Sequence, residues 1–161
     1  MTPAHRNEIH KHEQDFFHLR KDFSQNISCR QTIIRTMIRT LFLIGTGGFI
    51  GSVFRYLTSV YANRLVDSSF PYGTLAVNII GSFVIGLIFG LSDRFNWPTP
   101  EWRLFLATGI CGGYTTFSTF SYETISLLRE GDWFLGISNI SFSIVLCLVA
   151  TLFGGLLIKV I

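Results

Sequence analysis

Beyond residue 40 the chain contains four long stretches that are almost free of charge: Leu41–Ala62, Gly73–Leu91, Leu104–Leu128 and Trp133–Ile158. Each is close to the roughly 20 residues that an α-helix needs to cross about 30 Å of hydrocarbon. Surface helices of a soluble bundle carry a polar face with a period of about 3.6 residues, and these stretches carry none. The sequence therefore predicts an all-α membrane protein with four transmembrane helices, joined by short polar loops that make consecutive helices antiparallel.

The first 40 residues have a different composition. They hold 7 of the 13 basic residues, 4 of the 10 acidic residues and all 4 histidines, so the net charge of +3 belongs to this segment alone. We predict a polar, disordered or weakly helical extension over residues 1–40 and a four-helix transmembrane domain over residues 41–161. The transmembrane domain has no basic face, which argues against a nucleic-acid partner.

Small residues recur at the spacing that lets membrane helices approach closely. The pairs are Gly47 with Gly51, Gly86 with Gly90, and Gly109 with Gly113. Such pairs favour tight helix packing, because no hydrophobic effect drives helices together in lipid. Four tightly packed helices enclose little volume, so a pathway through this protein is expected to need a second subunit.

The third predicted span contains the run from Gly112 to Ser121, in which two glycines and three threonines lower the helix propensity. Backbone groups left unpaired in a membrane are tolerated where protein or a water-filled cavity satisfies them. A break would present carbonyl oxygens that suit a hard cation and hydroxyls that suit an anion. A simple kink at the two glycines is the alternative.

Uncharged polar side chains punctuate the second and fourth predicted spans. Asn78 is the one strongly polar side chain of the second, and Asn139 and Ser143 are spaced i, i+4 on the fourth. Each could hydrogen-bond a neighbouring helix or line an ion path. The residues alone leave both interpretations open.

Aromatic and charged side chains add further candidates. Phe117 and Phe120 share one helical face, and the positive edges of two such rings can contact a small anion. With 16 phenylalanines in the chain, simple core filling is equally consistent. Arg55 and Glu123 are ionisable residues inside predicted spans, where each could flank an ion path, snorkel, or pair with the other.

These residues resemble the CrcB or Fluc family of fluoride channels through three segments in order. They are Gly47-Gly48-Phe49-Ile50-Gly51 with Arg55-Tyr56, then Gly73-Thr74-Leu75-Ala76-Val77-Asn78 with Gly81-Ser82-Phe83, then the run Gly112–Ser121 with Glu123. The resemblance covers about residues 41–161. It implies a passive channel that exports fluoride from the cytoplasm and reduces its toxicity. The channel would be a dual-topology antiparallel homodimer in the cell inner membrane, with a broken third helix.

Site residues follow from the same resemblance. The family's ion path would be lined by Asn78, Phe117, Ser118, Thr119, Phe120, Asn139 and Ser143. A sodium ion at the dimer centre would be held by the backbone carbonyls of Gly112 and Thr115. Arg55 and Glu123 match family positions for vestibule or interface charge. Asn139 and Ser143 replace a track that tyrosine usually opens, so this part of the path departs from the family pattern.

Charge bears on topology. From Leu41 onward the basic residues are nearly balanced between the two sides, whereas the seven in residues 1–40 favour termini in the cytoplasm. Dual topology requires nearly balanced basic charge on the two sides of the membrane, and the full-length chain lacks this balance. Either translation starts at Met37, or this chain pairs with an oppositely oriented homologous subunit.

Two other function classes fit the sequence less well. A small multidrug-type dimeric proton-coupled transporter would place a functional carboxylate in its first helix, where this chain has Arg55. An enzyme is not expected, because no span contains a histidine, a carboxylate pair, a metal motif or a nucleophile with a base.

Overall fold

The structure, a computed structural model, describes residues 3–66, 68–95, 97 and 99–160, with side chains at 20, 23, 25 and from 27 onward in those ranges. Every element in them is helical. The elements are α1 (Pro3–Leu65), α2 (Tyr72–Phe95), α3 (Pro100–Arg103), a π-helix (Leu104–Cys111), α4 (Gly112–Tyr114), α5 (Phe117–Arg129) and α6 (Trp133–Val160). The chain divides into two compact units, Met1–Arg39 and Thr40–Ile161.

The first unit is helical from Pro3 onward. The expectation of a disordered or weakly helical extension over residues 1–40 stays a prediction. Proline is tolerated in a first helical turn, and neither glycine nor proline follows it within this unit. The backbone therefore meets no residue that would end the helix.

Among the described residues, three continuous helical stretches are long and apolar enough to cross a membrane: Ile27–Leu65, Tyr72–Phe95 and Trp133–Val160. They contain the first, second and fourth predicted spans. The third predicted span, residues 104–128, is divided among the π-helix, α4 and α5. It is interrupted because residues 115 and 116 leave the helical conformation.

Within the second unit, α2 packs against α6 through backbone contacts at glycine. A Cβ atom added to Gly86 would collide with the Thr151 carbonyl oxygen, and one added to Gly154 would collide with that of Phe83. At Gly90 the added atom would lie 3.0 Å from the Gly155 carbonyl oxygen. The two helices therefore approach as closely as the predicted glycine pair requires.

Glycines also join α1 to the helical segments before the break. A Cβ atom on Gly47 would lie 2.9 Å from the Gly109 Cα, and one on Gly113 would lie 2.9 Å from the Gly48 Cα. A Cβ atom on Gly51 would collide with the Ile110 carbonyl oxygen. The predicted packing role of these glycine pairs is confirmed.

The surface of the second unit is strongly apolar. Phe134 is 81% exposed and Leu152 is 65% exposed, and both lie on α6. Large apolar side chains facing outward along a helix without a polar face match a lipid environment. The chain is a membrane protein whose hydrophobic surface faces outward as well as inward.

The glycine contact between α2 and α6 gives the first prediction. Gly86→Ala should lower the free energy of unfolding in detergent by about 1–3 kcal/mol, because the new methyl group meets backbone that cannot move aside. Gly45→Ala is the matched control, since a Cβ atom there has nothing within 4 Å. Denaturant unfolding followed by circular dichroism measures both variants. Equal stability of the two would contradict the packing described.

Candidate functional site

The third predicted span is broken between Tyr114 and Phe117. Thr115 has φ −75° and ψ 156°, and Thr116 has φ −147° and ψ 118°, so both residues are extended. The prediction of a break in the glycine and threonine run is confirmed. The break consists of residues 115 and 116, which join the end of α4 to the start of α5.

The Asn78 side chain of α2 holds this break. Its Oδ1 accepts a hydrogen bond from the Thr116 backbone N–H at 2.8 Å, and its Nδ2 donates to the Thr116 carbonyl oxygen at 3.1 Å. The carboxamide therefore pairs with both polar backbone groups of one residue, as a neighbouring peptide would. Thr116 is buried, where unpaired backbone groups would be costly.

The backbone carbonyls just before the break lose their helical donors. In a continuous helix the N–H groups of residues 116–119 would bond to the carbonyls of residues 112–115. Instead, the Thr116 N–H donates to Asn78, and the Thr119 N–H donates to the Thr116 hydroxyl at 3.2 Å. Phe117 and Ser118 open α5, where the first N–H groups have no acceptor within the helix. The carbonyls of Gly112 and Thr115, which the family resemblance assigns to sodium, are among these four, and that assignment stays a prediction.

Thr116 itself is a site residue that the sequence reasoning missed. Its hydroxyl caps α5, donates to the Thr119 hydroxyl at 3.0 Å and lies 3.3 Å from the Ser118 hydroxyl. Threonine is a favoured helix N-cap residue, and this preference could have indicated that α5 begins after Thr116. The exposed hydroxyls of Ser118 and Thr119 thus gather around one buried oxygen at the start of α5.

The rings of Phe117 and Phe120 lie side by side on α5. Their centroids are 5.6 Å apart and their planes are inclined by 44°. Phe117 is 79% exposed, whereas Phe120 is half-buried. The pair therefore presents aromatic surface outward from the first turn after the break.

The side chains of Asn139 and Ser143 on α6 are buried, and Asn139 contacts α5. Asn139 is 1% exposed and its Nδ2 donates to the Thr124 hydroxyl at 2.8 Å. That hydroxyl donates to the Phe120 carbonyl at 2.7 Å, and the Ser143 hydroxyl lies 3.5 Å from Asn139 Oδ1. In the single chain these groups form an interhelical chain of hydrogen bonds ending on the backbone of Phe120. Thr124 was not singled out from the sequence.

Glu123 lies on α5, two turns beyond the break, and pairs with α2. Its Oε1 accepts a hydrogen bond from the Thr74 hydroxyl at 2.8 Å, while its Oε2 is buried and has no hydrogen-bond partner among the described residues. The carboxylate borders a pocket of about 360 Å³ next to the α1–α2 loop. The pocket is lined by Asn63, Val66, Ser68, Ser69, Phe70, Pro71, Tyr122, Glu123, Ser126, Leu127 and Glu130.

Arg55 stands apart from these groups. It is half-buried on α1, and within the described part of the chain its guanidinium forms no ion pair with Glu123. One turn away, the Thr58 hydroxyl accepts a hydrogen bond from the Tyr114 hydroxyl at 3.1 Å. The structure thus ties α1 to the break through Tyr114 and leaves the two ionisable residues separate.

A discontinuous apolar segment whose broken backbone is held by a side-chain amide is a feature that this chain shares with membrane proteins that bind ions at helix breaks. Residues 42–155 match the family model described as CrcB-like protein, Camphor Resistance (CrcB). The chain belongs to this family.

Curated relatives support the same assignment. A protein of Methanocaldococcus jannaschii is 50% identical over 121 residues, which cover 75% of this chain and 95% of the relative. One of Leptospira interrogans is 48% identical over 107 residues (66% and 84%), and one of Flavobacterium psychrophilum is 45% identical over 122 residues (76% and 98%). Each of the three is named fluoride-specific ion channel FluC. The small multidrug-type transporter considered from the sequence finds no support in these relatives.

The Asn78 contact gives the second prediction. Asn78→Ala removes the partners of both Thr116 backbone groups, and each unpaired buried group costs about 1–3 kcal/mol. Amide hydrogen exchange of the segment 114–119 should therefore accelerate by about tenfold or more in detergent, as measured by mass spectrometry.

Asn63→Ala is the matched control for that measurement. Its Oδ1 accepts one backbone hydrogen bond, from Gly73 at 3.0 Å, at the start of α2 and away from the break. This variant should accelerate exchange near residue 73 and leave the segment 114–119 unchanged. Equal exchange of that segment in the wild type and Asn78→Ala would show that the amide does not hold the break.

Proposed function

We propose that this protein is a passive fluoride channel that exports the ion from the cytoplasm and so reduces its toxicity. Support comes from membership of the CrcB family and from its relatives, which are named fluoride-specific ion channels. Such a protein is a channel and not an enzyme. Its lipid-facing helices and the interrupted segment 104–128 would together cross the cell inner membrane four times.

The observation that carries the proposal is the diversion of backbone donors around Thr115 and Thr116. It leaves carbonyl oxygens on one side of the break and the N-terminal N–H groups of α5 on the other. Oxygens favour a cation, and helix N-terminal N–H groups favour an anion. One uncharged backbone feature thus provides surroundings for ions of both signs.

Fluoride would be coordinated by neutral donors. A carboxamide has two N–H donors, and Asn78 uses one on the Thr116 carbonyl, so the second remains for the ion. The exposed hydroxyls of Ser118 and Thr119 and the ring edges of Phe117 and Phe120 complete the surroundings. Neutral donors can replace hydration without trapping the ion, as conduction requires.

The rest of the path is assigned by position. Asn139 and Ser143 would continue it along α6, with the Asn139 amide shared between the path and Thr124. Glu123 at its pocket and Arg55 on α1 would provide charge at a vestibule or subunit interface. A fixed charge outside the narrow part of the path steers ions without binding them there.

A second subunit completes the channel in this proposal. Two copies in antiparallel arrangement would bring together the carbonyls of Gly112 and Thr115 from each chain around a structural sodium ion. Oxygen ligands suit such a hard cation, and Gly112 is exposed in the single chain, which leaves its carbonyl within reach of a partner. The partner is either the same chain in the opposite orientation or an oppositely oriented homologous subunit.

Phe117 provides the test of the ion path. In liposomes loaded with fluoride, Phe117→Ile should reduce efflux roughly fivefold, because it removes an aromatic edge worth about 1 kcal/mol to an anion. Phe134→Ile is the matched control, since Phe134 is 81% exposed and Phe117 is 79% exposed. The control should retain wild-type efflux, measured with a fluoride electrode.

Chloride-loaded liposomes decide the selectivity. The wild type should release fluoride and retain chloride. Release of both anions at similar rates would contradict the fluoride assignment, and equal efflux from Phe117→Ile and Phe134→Ile would contradict the placement of the path.

Sodium gives a separate prediction. At saturating sodium, the thermal midpoint of the protein in detergent should exceed that in choline chloride of equal ionic strength, because a bound ion stabilises by about 2.7 kcal/mol at 100 times its Kd. Asn78→Ala should lose most of this difference, since the diverted carbonyls depend on that side chain. Identical midpoints in the two salts for the wild type would refute a sodium site.

A further inference from the structure

The first unit carries an apolar stripe that the channel does not explain. At about 100° per residue, Phe23, Ile27, Ile34 and Ile38 fall on one face of the helix. Their side chains are 69%, 44%, 51% and 53% exposed. Thr32 and Thr36 lie on the opposite face, where their hydroxyls donate to helix carbonyls at 2.9 Å. The segment Phe23–Arg39 is therefore amphipathic and its apolar face is uncovered.

The same segment is purely basic. It contains Arg30, Arg35 and Arg39 and no acidic residue. An exposed apolar stripe together with basic side chains is the composition of helices that lie in a membrane interface. Anionic headgroups complement this charge, and each arginine near such a surface contributes to attraction.

Length places this segment beyond the hydrocarbon. The charge-free stretch from Leu41 to Ala62 is long enough to cross by itself. The residues before it therefore meet headgroups or water.

We propose that Phe23–Arg39 binds along an anionic lipid surface, with the apolar stripe toward the acyl chains and Arg30 and Arg35 toward phosphate groups. Arg30 decides between lipid and a helical partner, because it lies beside the apolar stripe, about 20° from Phe23 and between that residue and the exposed Met37. In a contact between two helices it would be buried without a counter-charge, whereas at a membrane its long side chain reaches the headgroups. Two copies of the segment would also bring Arg30 and Arg35 of each chain close to those of the other, and like charges repel.

Fluorescence quenching in the full-length protein tests this. The background Cys29→Ser, Cys147→Ser leaves Cys111, which is 2% exposed and serves as the unlabelled blank. An environment-sensitive fluorophore is attached at Ile34→Cys on the stripe or at Thr32→Cys on the opposite face. The protein is reconstituted in vesicles of phosphatidylcholine with or without phosphatidylglycerol, and the quencher is a nitroxide-bearing lipid.

In phosphatidylglycerol vesicles the fluorophore at residue 34 should be quenched severalfold more than that at residue 32. Adding Arg30→Gln and Arg35→Gln should shift the ratio of bound to free segment roughly thirtyfold toward the free form. Arg64→Gln with Arg129→Gln, outside the segment, is the matched control and should change nothing. Fluoride efflux retained in the Arg30→Gln, Arg35→Gln variant shows that the transmembrane domain remains folded.

Three results would overturn the proposal. Equal quenching at residues 32 and 34 would show that no face is immersed. Quenching that ignores lipid charge and the arginine substitutions would remove the electrostatic basis. Shielding at residue 34 that rises with protein density, but not with anionic lipid, would show that the stripe pairs with a second copy. Failure of fluoride efflux in the wild type would affect the channel proposal alone.

Discussion

Pairing of the Thr116 backbone with the Asn78 carboxamide is the interaction on which the candidate site depends. A break in an apolar helix exposes an N–H and a C=O that hydrocarbon cannot satisfy. Asn78 satisfies both, at 2.8 Å and 3.1 Å, from a neighbouring helix. Without such a partner the segment would gain by closing into a continuous helix. The extended conformation of two threonines therefore persists because one polar side chain lies opposite it.

Because this pairing keeps the segment interrupted, two helix ends with opposite partial charges face each other across the break. The helical part before the break ends in carbonyl oxygens, and α5 starts with N–H groups, so partial charges of opposite sign face the gap. Neither end needs an ionised side chain. In the proposed channel, a path built this way would meet an anion and a cation within a few residues, and Arg55 and Glu123 would lie in its surroundings.

The long apolar stretches were readable from the sequence because length and hydropathy determine which helices suit a bilayer. The break was readable as well, since Gly112, Gly113 and the following threonines weaken the helix locally. The partner of the break was not, because Asn78 and Thr116 are separated by 38 residues and meet only through packing. Thr124 and Thr74 were missed for a related reason: a threonine hydroxyl can bond to its own helix, and the sequence does not show when it instead bonds to another. Thr124 accepts from Asn139, and Thr74 donates to Glu123.

Two asparagines from one helix pair hold α5 at two points. Asn78 on α2 binds the backbone at Thr116, and Asn139 on α6 binds Thr124, whose hydroxyl in turn bonds the Phe120 carbonyl. Because α2 and α6 meet through backbone at Gly86, neither can shift without disturbing the other. The orientation of α5, and with it the outward aromatic surface at Phe117, is therefore set by a contact distant from the break. The backbone contact at Gly86 thus affects, through α2 and α6, the direction in which the rings of Phe117 and Phe120 point.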